Sequence, residues 1–179
     1  KQLSHYMGEE NFKKGLKSYF KKFAHQNTEL KDFMGEMKAA AEVDLENWQP
    51  KWLQTAQMNT VRTEFQCDGE IISEMTLHQS APKKYPHLRP HKSKIALLKK
   101  TDRGVEVIGS FGAQFQDKTT NLKEAVGKPC PDMAYPNYQD YDYVKVDLGS
   151  QGIEYVAENI ALVQDSFLRA MLWTDLWHQ

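Results

Sequence analysis

The chain has 179 residues, 40% of them hydrophobic and 26% charged, with a formal net charge of -1. These are ordinary globular proportions, and they exclude a collagen-like, low-complexity or generally disordered chain. No apolar run reaches the roughly 18–20 residues of a membrane span. The 23 basic residues against 24 acidic ones lack the basic excess of a nucleic-acid binder. The expected partners therefore include neither a membrane nor nucleic acid.

The first block, residues 8–56, reads as helices. Phe12, Leu16, Tyr19, Phe20 and Phe23 recur at helical spacing, with Lys13, Lys14, Lys17, Lys21 and Lys22 between them. A basic amphipathic helix also fits a membrane surface or a calmodulin-type partner. Here a matching helix follows at once and can cover the apolar stripe. Asn27-Thr28 is expected to cap that second helix, which carries Leu30, Phe33, Met34, Met37 and Ala41. Asp44 can cap a third, with Leu45, Trp48, Trp52 and Leu53 along it and Pro50 kinking it or marking a late first turn.

The second block, residues 57–150, reads as strands. Val61, Thr63 and Phe65 alternate with Arg62 and Glu64, and Asp68-Gly69 then marks a hairpin turn. In the return run Ile71, Ser73, Met75 and Leu77 are expected on one face, with Ile72, Glu74, Thr76 and His78 on the other. Further strands are expected over Lys94–Lys99, Val105–Phe115 and Tyr143–Leu148, with a turn at Asp102-Arg103-Gly104. Three prolines make Gly127–Asn137 irregular or an edge. Short strands with turns at this spacing suggest a β-sandwich.

The third block, residues 151–179, returns to helix. Ile153, Val156, Ala157, Ile160 and Val163 form one stripe. Asp165 or Ser166 can cap a second helix carrying Phe167, Leu168, Met171, Leu172 and Leu176. That helix runs into Trp177-His178-Gln179, and an end so apolar wants more protein to pack against. The opening Lys1-Gln2-Leu3-Ser4-His5 has neither a starting Met nor the apolar core of a signal peptide. The expectation is a piece of a longer protein.

A search for chemistry finds little. His87 and His91 are four apart, a spacing that suits two metal ligands on a helix, but Pro86 and Pro90 forbid a regular helix there. A structural loop is the simpler reading, with the planar fork of Arg89 tethering it to a fixed carboxylate or carbonyl. There is no His-Glu-x-x-His, no Gly-x-Ser-x-Gly and no phosphate-binding P-loop. Gly109-Ser110-Phe111-Gly112 sits in an expected strand, where glycine marks a bulge or close packing. Two cysteines, Cys67 and Cys130, are too few for a disulfide scaffold. They could pair, but the expectation is two ordinary reduced thiols in a cytoplasmic protein. The run Tyr135–Tyr143 alternates tyrosines with acids and reads either as a loop with half-buried rings or as a binding face. The pairs Trp48/Trp52 and Trp173/Trp177 read as core or interface packing.

The stretch Tyr6-Met7-Gly8-Glu9-Glu10-Asn11-Phe12, continuing through Gly15-Leu16 to Tyr19-Phe20, resembles a helix of the M1 family of zinc aminopeptidases, bacterial aminopeptidase N-like. So do Phe23-Ala24-His25, Trp52-Leu53-Gln54-Thr55-Ala56, Leu88-Arg89-Pro90-His91 and Leu168–Trp173, in the same order. The resemblance implies an α+β chain. Residues 1–56 would be the last helices of the catalytic domain, 57–150 a β-sandwich domain, and 151–179 the first helices of a C-terminal helical domain. It implies a parent enzyme that removes N-terminal amino acids from peptides. In that family zinc is held by two histidines and a glutamate, a second glutamate is the base, and a tyrosine stabilises the oxyanion. None of these has a matching position here, so no residue is assigned as catalytic, cofactor-binding or metal-ligating, and Tyr6 and Tyr19 are not promoted to that role. The chain itself is expected to bind no zinc and to be inactive, with the sandwich spacing catalytic and capping domains. Its partners would be peptide substrates, through the parent enzyme, and the remaining domains of the same polypeptide. The reading from a different class is a self-standing β-sandwich interaction module that binds through Tyr135–Tyr143.

Overall fold

The computed structural model describes residues 1–179, which form two compact units, Lys1–Thr55 and Ala56–Gln179. No helix is long and apolar enough to cross a membrane.

The first unit is four helices: α1 (Gln2–Met7), α2 (Glu9–Lys22), α3 (Leu30–Ala40) and α4 (Leu45–Leu53). The sequence pattern did not point to α1. Gly8, at φ 87°, separates it from α2 in a conformation that suits glycine. The first turn of α2 carries Glu9 and Glu10 and its last turn Lys21 and Lys22, complementing the helix dipole at both ends. Its buried Gly15 faces α3, where a Cβ would come within 2.9 Å of Met37 Sδ, so close approach of the two helices needs the missing side chain. Met7, Met34, Met37, Leu45 and Trp48 form the core of this unit. Phe20 is 65% exposed and departs from the expected apolar stripe.

The cap of α3 differs from expectation. Glu29 is the N-cap, and its N–H donates to Asp32 Oδ2 at 2.9 Å. Thr28 is spent elsewhere, its hydroxyl meeting Tyr19 Oη at 2.5 Å. Asp44 caps α4 as expected, accepting from the Asn47 N–H at 3.0 Å, and Pro50 lies inside that helix.

The second unit holds β1 (Asn59–Asp68), β2 (Ile71–Ser80), β3 (His91–Thr101), β4 (Gly104–Phe115), β5 (Thr119–Asn121), β6 (Met133–Tyr135) and β7 (Val144–Val146), then α5 (Gly149–Asn159) and α6 (Ser166–Trp177). One sheet has the order β5-β2-β1-β7 and the other β4-β3-β6. β1 and β2 form the expected antiparallel hairpin, and β7 lies parallel to β1. The Pro-rich stretch contributes β6, an edge strand. Ile72, Leu77, Ile95, Leu97 and Val61 share one core with Val156, Leu168 and Leu172 of the two helices. The chain is thus α+β, a central two-sheet domain with helices on either side of it in sequence.

Two expectations about this unit are corrected. The facing of β2 breaks at its start, with Ile72 fully buried and Ile71 49% exposed. Cys67 pairs with Ile72 and Gln66 with Glu74, so Ser73 is an extra residue in a bulge that swaps the faces. From Met75 and Leu77 onward the expected alternation returns. The second correction is that Cys67 and Cys130 are not free thiols. They form a disulfide across 63 residues of sequence, because the β1–β2 hairpin brings Cys67 beside a strap that a linear reading placed far from it.

Candidate functional site

The most elaborate polar cluster in the second unit surrounds Arg89, which is 2% exposed although it lies in a loop. Its Nη2 donates to the Ala56 carbonyl at 2.7 Å and its Nη1 to Asn59 Oδ1 at 3.3 Å. Its own N–H donates to Gln79 Oε1 at 2.9 Å. Burial pulls the guanidinium below its ordinary pKa. The expected tether to fixed carbonyls is therefore present, and Ala56 is the first residue of the second unit.

His91 lies in the same cluster. Its ring stacks on Phe115 with centroids 4.9 Å apart, Nδ1 lies 2.7 Å from Asp142 Oδ2, and Nε2 lies 3.2 Å from Asn59 Oδ1. The Asn59 amide donates to the His87 and Ser80 carbonyls at 2.8 and 3.3 Å, which orients its oxygen toward His91 and Arg89. Asn137 and Asp142 close the cluster, the Asp142 N–H donating to Asn137 Oδ1 at 2.8 Å. A buried polar group is costly unless bonded, and these groups are bonded to one another. The cluster holds loops together and presents no open face to a substrate.

The other residues singled out from sequence fall apart spatially. The His87 side chain is exposed and its carbonyl is what meets the Asn59 amide, while His91 is buried, so the two rings share no site. Nowhere do three His, Cys, Asp or Glu side chains gather as a metal centre would need, so the residues present do not fit a zinc ion. Tyr6 packs on Trp48 with centroids 6.0 Å apart, burial and nearby Asp44 raising its hydroxyl pKa, and Tyr19 is bonded to Thr28.

The Tyr135–Tyr143 run is not a tyrosine platform. Tyr135 is fully buried and donates its hydroxyl to Asp175 Oδ2 on α6 at 2.5 Å, with burial and then the Asp175 charge raising its pKa. Tyr138 and Tyr141 are half-buried, leaving Tyr143 as the exposed ring. The Tyr135–Asp175 and His91–Asp142 links join residues 40 and 51 apart, and no local spacing announces either. Gly109 sits beside a register shift at Leu97/Leu98, the bulge its strand position suggested. Trp48 and Trp52 stack in the first unit, whereas Trp173 and Trp177 are 57% and 77% exposed.

Comparison with known proteins supplies what this geometry does not. Residues 1–52 match the Peptidase family M1 domain. Over 185 aligned positions, 99% of the chain is 34% identical to an aminopeptidase N of Streptomyces lividans. The chain is similar to the M1 peptidase family. It covers 22% of the length of that relative, so the family's active site need not fall in this stretch. The M1-domain match ends at residue 52, close to the boundary of the first unit at Thr55.

Proposed function

We propose that this chain is a stretch of a zinc aminopeptidase that follows the zinc site, and that by itself it is catalytically silent. The observation that carries this is the coincidence of the M1-domain match, 1–52, with one structural unit that lacks a metal-ligand cluster. In this reading residues 1–56 complete the peptidase domain of the parent enzyme. Residues 57–150 form a β-sandwich that spaces it from a capping domain, and residues 151–179 begin that helical domain. The parent takes peptides as substrates and zinc as its cofactor, and the partners of this stretch are the other domains of the same polypeptide.

Orphaned polar atoms support a missing neighbour for the first unit. Trp48 Nε1 and Gln49 Oε1 are buried there without a hydrogen-bond partner, a costly arrangement unless further chain supplies one. The exposed aromatic side chains of α6 support the same reading at the other end. A cytoplasmic location, the remaining part of the proposal, is in tension with the Cys67–Cys130 bond, since structural disulfides persist mainly in oxidising compartments. It requires that this bond exchange with cellular thiols.

Zinc content and aminoacyl-anilide hydrolysis of the 179-residue chain test the proposal. Neither bound zinc nor turnover is expected; stoichiometric zinc with turnover would overturn it. A longer reading frame that encodes His-Glu-x-x-His upstream is the second expected result.

A further inference from the structure

The two cysteines of the disulfide lie in backbone that is hydrogen-bonded independently of their sulfurs. Cys130 lies on a strap, Val126–Asp132, that crosses from one sheet to the other. On the first side the strap is hydrogen-bonded to the β2 end of the hairpin. The Gly127 N–H donates to the Ile72 carbonyl at 2.9 Å, the Ile72 N–H to the Lys128 carbonyl at 2.9 Å, and the Cys130 N–H to the Glu70 carbonyl at 2.8 Å. On the second side the Asp132 N–H donates to the Leu98 carbonyl at 2.8 Å, and the Lys100 N–H donates to Asp132 Oδ2 at 2.7 Å. Backbone bonds thus flank Cys130 on both sides. Cys67 is placed opposite Ile72 by the β1–β2 ladder itself.

None of these bonds involves sulfur. The buried core of the unit is built from strand and helix side chains, with Cys67 only at its margin. Both cysteines are half-buried, so a small thiol can reach them. Lys99 Nζ donates to the Cys130 carbonyl at 3.2 Å and brings a positive charge beside the pair, which favours the attacking thiolate.

We propose that Cys67 and Cys130 are a preorganised thiol pair, a redox-sensitive staple between the β1–β2 hairpin and the strap that opens and closes while the fold is kept. Closure runs by exchange with a small-molecule disulfide such as glutathione disulfide. One cysteine thiolate attacks a sulfur of that disulfide, forming a mixed disulfide and releasing one thiol. The second thiolate attacks the protein-side sulfur and releases the other. The protein gives up two protons and two electrons, and the small disulfide is reduced to two thiols. A thiol pair held at a Cα–Cα distance of 5.9 Å makes the second step intramolecular.

The test equilibrates the 179-residue chain in glutathione buffers of graded ratio, alkylates free thiols and weighs the intact protein, alongside amide NMR spectra at both extremes. The expected result is one two-thiol transition, identical from either direction, without accumulation of a mixed disulfide. Amide shifts should change at residues 66–73 and 126–132 and hold at Ala96–Leu98. Collapse of amide dispersion across β1–β4 on reduction would overturn the proposal, since the bond would then be a condition of folding. So would thiols that stay open, or carry one glutathione each, in excess glutathione disulfide. The double variant Cys67→Ser/Cys130→Ser should show the reduced spectrum at every ratio, and the oxidised spectrum in that variant would also overturn it.

Discussion

Arg89 is a charged side chain almost wholly removed from water, and its bonds to the Ala56 and Asn59 oxygens make that burial tolerable. Replacing it with Met keeps the volume and removes the donors. Hydrogen bonds from a charged group are worth about 1.5–3 kcal/mol each, so Arg89→Met should lower stability by about 3 kcal/mol in urea unfolding; a loss below about 1 kcal/mol would refute the anchoring role. Gly104 is constrained differently. Its φ is +117°, and a Cβ there would stand 2.5 Å from the Leu162 backbone carbonyl, which cannot swing aside as a side chain can. Gly104→Ala should therefore cost about 1–3 kcal/mol, whereas Ala at Gly112, where a Cβ meets nothing within 4 Å, avoids that collision. Comparing the two melting temperatures separates the clash from any general intolerance of the strand.

Among the elements, α6 is tied to β6 by the Tyr135–Asp175 bond as well as by Leu168 and Leu172. Burial raises the Asp175 carboxyl above its ordinary pKa; the Tyr135 bond and His178 oppose the shift without reversing it. The folded state then holds the Asp175 proton more tightly than the unfolded state does. The resulting stabilisation is full below the ordinary carboxylate pKa and is lost as pH rises through the raised folded value. Asp175→Asn cannot ionise, so its stability relative to the parent chain should improve as pH rises above the ordinary carboxylate pKa and level off above the raised folded value. A pH-independent difference in urea unfolding would show that Asp175 is not the group responsible. The sequence already disclosed much at this scale. The Asp68-Gly69 hairpin, the β3–β4 turn and the Asp44 cap all follow from contacts within a few residues. The face of Ile71 and Ile72 did not follow, because the Ser73 bulge depends on the partner strand.

For the molecule as a whole, the disulfide and the open face of α6 matter most. Joining residues 63 apart removes chain entropy from the unfolded state. The loop-closure relation puts that at about 4 kcal/mol, so Cys67→Ser/Cys130→Ser should unfold at clearly lower urea, and an unchanged midpoint would mean that the bond does not form in solution. On α6, Phe167, Trp173 and Trp177 stay at least half exposed while the opposite face packs on the sheets. Such a patch promotes association. Light scattering should report concentration-dependent self-association of the 179-residue chain, relieved by Trp173→Ser/Trp177→Ser; a monomer at all concentrations would contradict this.

What the sequence by itself determined is the order of the longer elements and the likeness to the M1 peptidase family. Helical period, strand alternation and turn residues are local signals, and a series of motifs in fixed order carries a family resemblance without any structure. What only the tertiary structure decided is which distant residues meet. Cys67 finds Cys130, His91 finds Asp142, and Tyr135 finds Asp175, because hairpins and crossovers fold separate stretches together. Pairings of that kind are set by packing of the whole unit, which no window of a few residues contains. The 179 residues that composition describes as one ordinary near-neutral domain are, in space, two units, and the family's M1-domain match lies within the first of them.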